Sequence, residues 1–342
     1  MRICLTPSET ALLRASVSSV TASAIDDPDA FSAQVAQACV PAGVPACVPG
    51  RVPACVPAGV PGRVREALVE FGERGSPSGT ILISGFPVER VPPTPPSNSD
   101  FLGAASELAR VQAAFNQVAG DMVAYEAEGG GKMFQDMVPC RSLTDSQTSL
   151  GSSVVLEIHT EQAFSDLRPD VLSLACLRGD PAAQTYTMHV RELLDRTTEE
   201  ERATLRRPLW TVGVDASFVS SGLVDASVRG PVPILSGPED DPVLVFDQDL
   251  MRGVTPEAEA LRSKIVEIYE ARKVALTLSP GDVLLVDNRR AVHGRSAFRA
   301  RFDGSDRFVV RSFVFRAGRE LPSCHAAMML DGGVRVFYRQ NG

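Results

Sequence analysis

The chain has 342 residues, 44% hydrophobic and 22% charged, with a formal net charge of −8. That length suits one large domain or two modest ones, and the acidic balance argues against a surface built to follow nucleic-acid phosphates. No apolar run approaches the ~20 residues of a membrane span, and the stretch at 11–20 is broken by Arg14 and several serines, so neither a membrane span nor a secretory leader is expected.

Seven cysteines, at 4, 39, 47, 55, 140, 176 and 324, are odd in number and show no paired C-x-x-C spacing. They read as free thiols in a reducing compartment, which points to a cytoplasmic protein. Residues 1–38 read as helical. Thr6-Pro7-Ser8-Glu9 combines an N-cap, a proline at the first helical position and a capping-box glutamate, and Asp27-Pro28 offers a second start. Residues 38–64 then carry prolines at 41, 45, 49, 53, 57 and 61. This period fits neither helix nor strand, because each proline removes a backbone donor and restrains the residue before it. The segment reads as a low-complexity insert between helices rather than a polyproline partner-binding tract.

A helix is predicted over 65–73, a strand over 80–86 (TILISGF), and a long helix over 101–126 with apolar positions at Leu108, Val111, Phe115, Val118 and Val123. From Lys132 onward the texture is of short β-type runs: VVLEIH, VLSLACL, WTVGV, PVLVFD, VLLVD and FVVRSFVF. One amphipathic helix over 256–276 interrupts them. Many short strands separated by turn residues suggest an α+β chain with a jelly-roll or related barrel, not a doubly wound sheet. No G-x-G-x-x-G or P-loop follows a strand, so nucleotide-binding folds lose their main support.

His159-Thr160-Glu161 ends the run VVLEI. At a period of two, His159 and Glu161 project from one strand face, as two ligands of one metal would. Further along, the strand ending at Asp287 leads through NRRAVHGR to His293, a candidate third ligand of a facial triad that leaves positions open on non-heme Fe(II). Arg307 then opens the strand FVVRSFVF. A buried arginine there offers a fork that matches the distal carboxylate of a 2-oxoglutarate chelated at iron.

HTEQAFSDLRPDVLSLACLRGDP and DNRRAVHGRSAFRARFDGSDRFVVRSF resemble the clavaminate synthase-like branch of the Fe(II)/2-oxoglutarate-dependent oxygenases. Within that branch YEAEGGGKMFQDMVP, SQTSLGSSVVLEIHTEQAF, GPVPILSGPEDDPVLVFDQDLMRG and NRRAVHGRSAF are similar to the free L-lysine hydroxylases. The resemblance covers about 65–316 and fades in the proline repeat and after Arg319. It implies a double-stranded β-helix (jelly-roll) core flanked by helices. The expected layout is one oxygenase domain over 1–342, with a helical region 1–75 containing the insert 38–64 and the β-helix core at about 130–318.

Residue by residue, the resemblance implies that His159, Glu161 and His293 hold Fe(II) and that Arg307 binds 2-oxoglutarate. Thr187 is the expected assisting hydroxyl, with Thr185 as the alternative. Arg311 and Ser149 are expected on the substrate α-carboxylate end, and Gln135 on the substrate in a looser register. Asp247 and Asp249 are expected against a cationic side-chain end, because paired carboxylates suit an ammonium and penalise a neutral group. Glu126 and Glu128 receive no role. The implied reaction consumes O2 and 2-oxoglutarate, releases succinate and CO2, and hydroxylates free L-lysine at C3. The carboxylate ligand favours hydroxylation over the halogenation of relatives that lack it. L-lysine 4-hydroxylation and L-arginine 3-hydroxylation on the same scaffold are the alternatives. A cupin-like metal isomerase or binding protein that does not use 2-oxoglutarate is more remote, and a purely structural jelly-roll is the bland reading. A small amino acid is the expected partner, with no nucleic acid or membrane; the oligomeric state is left open.

Overall fold

Thr6 does cap the first helix. In the computed structural model, which describes residues 1–39, 59–224, 228–322, 328 and 331–337, helix Pro7–Val17 opens with the complete Thr6/Glu9 capping box. Asp27 accepts from Ala30 N at the start of Pro28–Ala38. A short strand, Arg2–Cys4, precedes them. Helices Gly62–Arg74 and Glu107–Ala119 complete this helical layer. Most of the proline repeat lies outside the described residues, but its flanks do not. A Cβ built on Gly59 would stand 2.9 Å from the Ala38 carbonyl, so the chain leaves and rejoins the layer at nearly one place. Deleting residues 42–57 is therefore expected to leave the melting temperature and turnover nearly unchanged, since loop closure changes by only ~0.6 kcal/mol per doubling of length. Thermal melts and steady-state kinetics of the deletion check this; insoluble protein would contradict it.

The largest sheet orders its strands Arg2–Cys4, Thr80–Ser84, Val283–Asp287, Val171–Arg178, Phe308–Arg316, Gly120–Tyr125 and Val334–Phe337, and Gln135–Met137 also pairs with Phe308–Arg316. Its members thus begin well before residue 130. Both faces are buried, and the alternation can be read along each strand. Ile81, Ile83, Val283, Leu285, Val310 and Val314 pack with the helical layer. Their neighbours Leu82, Leu284, Val286, Val309 and Phe313 face a second core. That core is shared with helix Pro256–Arg272, through Ala258, Leu261, Ile265 and Ile268 at helical spacing, and with a smaller sheet. The smaller sheet runs Val274–Thr277, Gln184–His189, Ala291–Arg295, Leu156–His159. A three-stranded sheet around Trp210–Gly213 and a two-stranded one complete the mixed helix-and-sheet architecture.

Two predicted helices are shorter than the sequence suggests. The one placed at 101–126 starts after Ser106, whose hydroxyl accepts from Ala109 N, and stops at Ala119. Gly120–Tyr125 is a strand instead. Gly120 permits the switch, because a Cβ there would lie 2.0 Å from the Phe315 carbonyl of the adjacent strand. The helix placed at 256–276 stops at Arg272, and Val274–Thr277 pairs with Gln184–His189. Within PVLVFD only Val243–Leu244 is strand.

Candidate active site

The inner face of the large sheet and the small sheet meet at a cavity lined by Ser149, His159, Glu161, Thr185, His293, Arg295, Arg307 and Arg311, among others. Strand pairing builds it. His159 and His293 stand directly opposite each other on neighbouring antiparallel strands, with ring centroids 4.4 Å apart. Glu161 lies just past the end of the His159 strand, and its backbone is clamped by a buried asparagine. Glu161 N donates to Asn288 Oδ1 at 2.7 Å, while Asn288 Nδ2 donates to the Glu161 carbonyl at 3.2 Å and the Pro169 carbonyl at 2.8 Å. On the facing strand, a period of two turns Arg307 and Arg311 toward the same side as Val309 and Phe313.

The donor atoms of His159, Glu161 and His293 all lie within 4.8 Å of one another, and Glu161 Oε1 is 3.0 Å from His293 Nε2 and 3.9 Å from His159 Nε2. His159 Nδ1 is 2.8 Å from the Glu157 carbonyl, a contact that assigns the proton to Nδ1 and frees the Nε2 lone pair. Burial, reinforced by the nearby His159, lowers the His293 pKa, so its ring is neutral at pH 7. Burial alone would raise Glu161, but Arg311 and both imidazoles outweigh it and hold the carboxyl at about 2. Two imidazoles and one ionised carboxylate, presented to a cavity, fit Fe(II) with positions left open for other ligands.

Charges around the triad fall into two groups. At one side stand Arg307 and Arg295, only 8% and 5% exposed. Among the described residues no carboxylate or carbonyl meets the Arg307 guanidinium, and burial lowers its pKa. Burial and the proximity of Arg307 push Arg295 down to about 9. At the other side are acids. Glu128 pairs with Arg311 and accepts from Gln162 Nε2 at 3.3 Å. Arg311 also donates to Gln135 Oε1, from Nε at 3.2 Å, and to Glu161 Oε2 at 3.4 Å. Asp247 bridges to His159 in backbone pairing, and burial raises its pKa. Asp215 accepts no capping hydrogen bond from the short helix that it precedes. Burial, then Glu128 and Asp247, push it up to about 7.

Most of the sequence-predicted residues lie at or beside this cavity. Thr185, the alternative hydroxyl, lines the cavity, and Thr187 is buried directly opposite His293 in the strand pairing. Asp249 is exposed, and its backbone carbonyl accepts from Arg252. Glu128, Asp215, Asn288 and Arg295 are features that sequence reasoning missed. Asn288 and Arg295 had local signals: the first its place at the end of the strand leading to His293, the second its position two residues beyond that ligand.

A triad of two histidines and one carboxylate, beside an arginine with no anionic partner among the described residues, has the donor set of a mononuclear non-heme iron oxygenase. Comparison with known proteins makes the assignment specific. Residues 78–313 match the family described as Taurine catabolism dioxygenase TauD, TfdA family. The chain is 53% identical over 259 residues to an L-lysine 3-hydroxylase of Catenulispora acidiphila, covering 75% of this chain and 72% of that protein. It is 36% identical to an L-asparagine oxygenase of Streptomyces coelicolor, covering 73% and 75%. A solved asparagine oxygenase in complex with Fe(II), 2S,3S-3-hydroxyasparagine and succinate superposes with a TM-score of 0.80 at 29% identity, covering 92% of this chain and 94% of the other. The protein belongs to the TauD/TfdA dioxygenase family and is an amino-acid oxygenase dependent on Fe(II), 2-oxoglutarate and O2.

Proposed function

We propose that this enzyme hydroxylates free L-lysine at C3, releasing succinate and CO2. The observation that carries the reading is the pair of half-buried carboxyls, Asp215 and Asp247, beside His159 with no cation partner among the described residues. Unpaired carboxyls held out of water favour a ligand that brings its own positive charge. Arg311, set between Glu128 and Glu161, gives the α-carboxylate a guanidinium, with Ser149 nearby, while Gln135 and Glu128 suit the α-ammonium. Lysine supplies all three charges, with a side chain that reaches from Arg311 to the acids. The likeness to the L-lysine 3-hydroxylase of C. acidiphila supports both substrate and position.

His159, Glu161 and His293 would hold the iron, which when bound supplies the activation of O2 coupled to decarboxylation of 2-oxoglutarate. The side chains supply the rest. Arg307 binds the distal carboxylate of 2-oxoglutarate, with the Thr187 hydroxyl as assistant and Thr185 as the alternative. Asn288 fixes the Glu161 backbone, and the apolar walls Met137, Leu156, Leu172 and Leu174 exclude water. Pinning lysine at both ends leaves a middle carbon as the one that can face the metal. The same reading takes residues 1–342 as one oxygenase domain around a double-stranded β-helix. Free thiols at Cys4, Cys140 and Cys176 support a cytoplasmic setting.

Asp215→Asn and Asp247→Asn are each expected to raise the KM for lysine by roughly thirtyfold, the low end of the ~2–5 kcal/mol range for truncating a buried charge pair. The KM for 2-oxoglutarate should stay put, and Asp249→Asn should change neither. A panel of lysine, arginine, ornithine and asparagine with mass-spectrometric detection provides the test. Unchanged lysine KM in both variants, or preference for asparagine, would overturn the substrate.

A further inference from the structure

We propose that Arg295 couples cosubstrate occupancy to the amino-acid-binding loop, one terminal nitrogen sharing the distal carboxylate of 2-oxoglutarate with Arg307 while the other holds the backbone of Ser149. The inference rests on the reading of the cavity given above.

Arg295 is two residues beyond His293 on strand Ala291–Arg295, so it projects from the same face as that ligand. It pairs with Thr185 on one side and Leu156 on the other. Its guanidinium lies over Phe298, 5.0 Å from the ring centroid, which fixes its plane. Nε donates to the Ser296 carbonyl at 3.2 Å and Nη1 to the Ser149 carbonyl at 3.0 Å. Nη2 is buried and meets no acceptor among the described residues.

An arginine N–H kept from water without an acceptor is a costly arrangement, and here it occurs in the cavity where Arg307 also has no partner among the described residues. No ligand of this enzyme other than the cosubstrate places an anion at that end, because the substrate carboxylate belongs at Arg311. A carboxylate has two oxygens and several lone pairs, enough to accept from both forks at once. The same planar group that meets the cosubstrate then sets the position of Ser149. The loop bearing Ser149 is tied to the Arg295 segment a second time, through Phe298 N and the Ser152 carbonyl at 2.8 Å. Filling the cosubstrate end therefore orders the loop that touches the amino acid. Linkage requires the effect to be reciprocal: each ligand tightens the other by one factor.

The test uses the full chain loaded with Fe(II) under anaerobic conditions, where no turnover occurs. Calorimetric titration of lysine with and without saturating 2-oxoglutarate should show tightening on the order of tenfold in the natural protein. Arg295→Lys keeps the charge but not the two-sided fork, and its coupling factor should collapse toward unity while iron binding is retained. An unchanged coupling factor in this variant overturns the proposal. A second measurement needs no variant: hydrogen exchange of residues 146–152 in the natural protein. Addition of 2-oxoglutarate alone should slow exchange there, whereas saturating 2-oxovalerate, which lacks the distal carboxylate, should not. Equal protection by both, or by neither, sinks the coupling role even if 2-oxoglutarate binds. Failure of 2-oxoglutarate to bind at all is a different outcome, and it overturns the cosubstrate reading together with this inference.

Discussion

Replacing Glu161 with alanine is expected to abolish iron binding and hydroxylation while leaving the protein folded. The carboxylate is the only anionic donor among the three atoms gathered within 4.8 Å, and without it two imidazoles remain. Two features protect the fold. The backbone of residue 161 is held by Asn288 through main-chain hydrogen bonds that do not involve the side chain. Arg311, which loses a partner, keeps Glu128 and Gln135, so no buried charge is orphaned. The cost of about 3–5 kcal/mol usual for breaking a buried pair should therefore not appear in the melting temperature. Iron content after anaerobic loading, together with a thermal melt, checks both halves. Stoichiometric iron and full turnover in the variant would contradict the triad.

Arg307→Ala should raise the KM for 2-oxoglutarate by roughly thirtyfold to a few thousandfold, following the ~2–5 kcal/mol for truncating one member of a desolvated charge pair. The KM for lysine should move far less. The sign of the stability change makes this prediction sharper. In the ligand-free protein Arg307 is a buried guanidinium with no anion among the described residues, so its burial opposes folding. Removing it should leave the ligand-free melting temperature unchanged or higher. Saturating 2-oxoglutarate should raise the melting temperature of the natural protein by mass action and leave that of the variant unmoved. A variant that is destabilised without ligand, yet keeps its 2-oxoglutarate KM, would make Arg307 a structural residue and place the cosubstrate elsewhere.

What the sequence disclosed depends on how local each signal was. The capping box at Thr6, the strand face shared by His159 and Glu161, and the pairing of Arg307 with Arg311 on one side of a strand all follow from periodicity within a few residues. The run Gly120–Tyr125 failed that test because it is buried on almost every residue. Apolar continuity cannot separate a doubly buried strand from the end of a helix. The acids were harder. Glu128 meets Arg311 across 183 positions of sequence, and Asp215 reaches the site from a short helix with no motif of its own. Asp249 is expected beside Asp247 only through the resemblance; Asp247 lies in backbone pairing with His159, whereas Asp249 is exposed. Thr185 and Thr187 share a strand face by a period of two, one opposite Arg295 and the other opposite His293.

The most direct measurement of the central claim is product analysis of purified protein given Fe(II), O2, 2-oxoglutarate and L-lysine. Succinate should form in equal amount to a single hydroxylysine, and NMR should place the hydroxyl on C3. A C4 product would contradict the position alone. Succinate without hydroxylysine, or turnover of a neutral amino acid in preference to lysine, would contradict the assignment of Asp215 and Asp247 to a substrate ammonium.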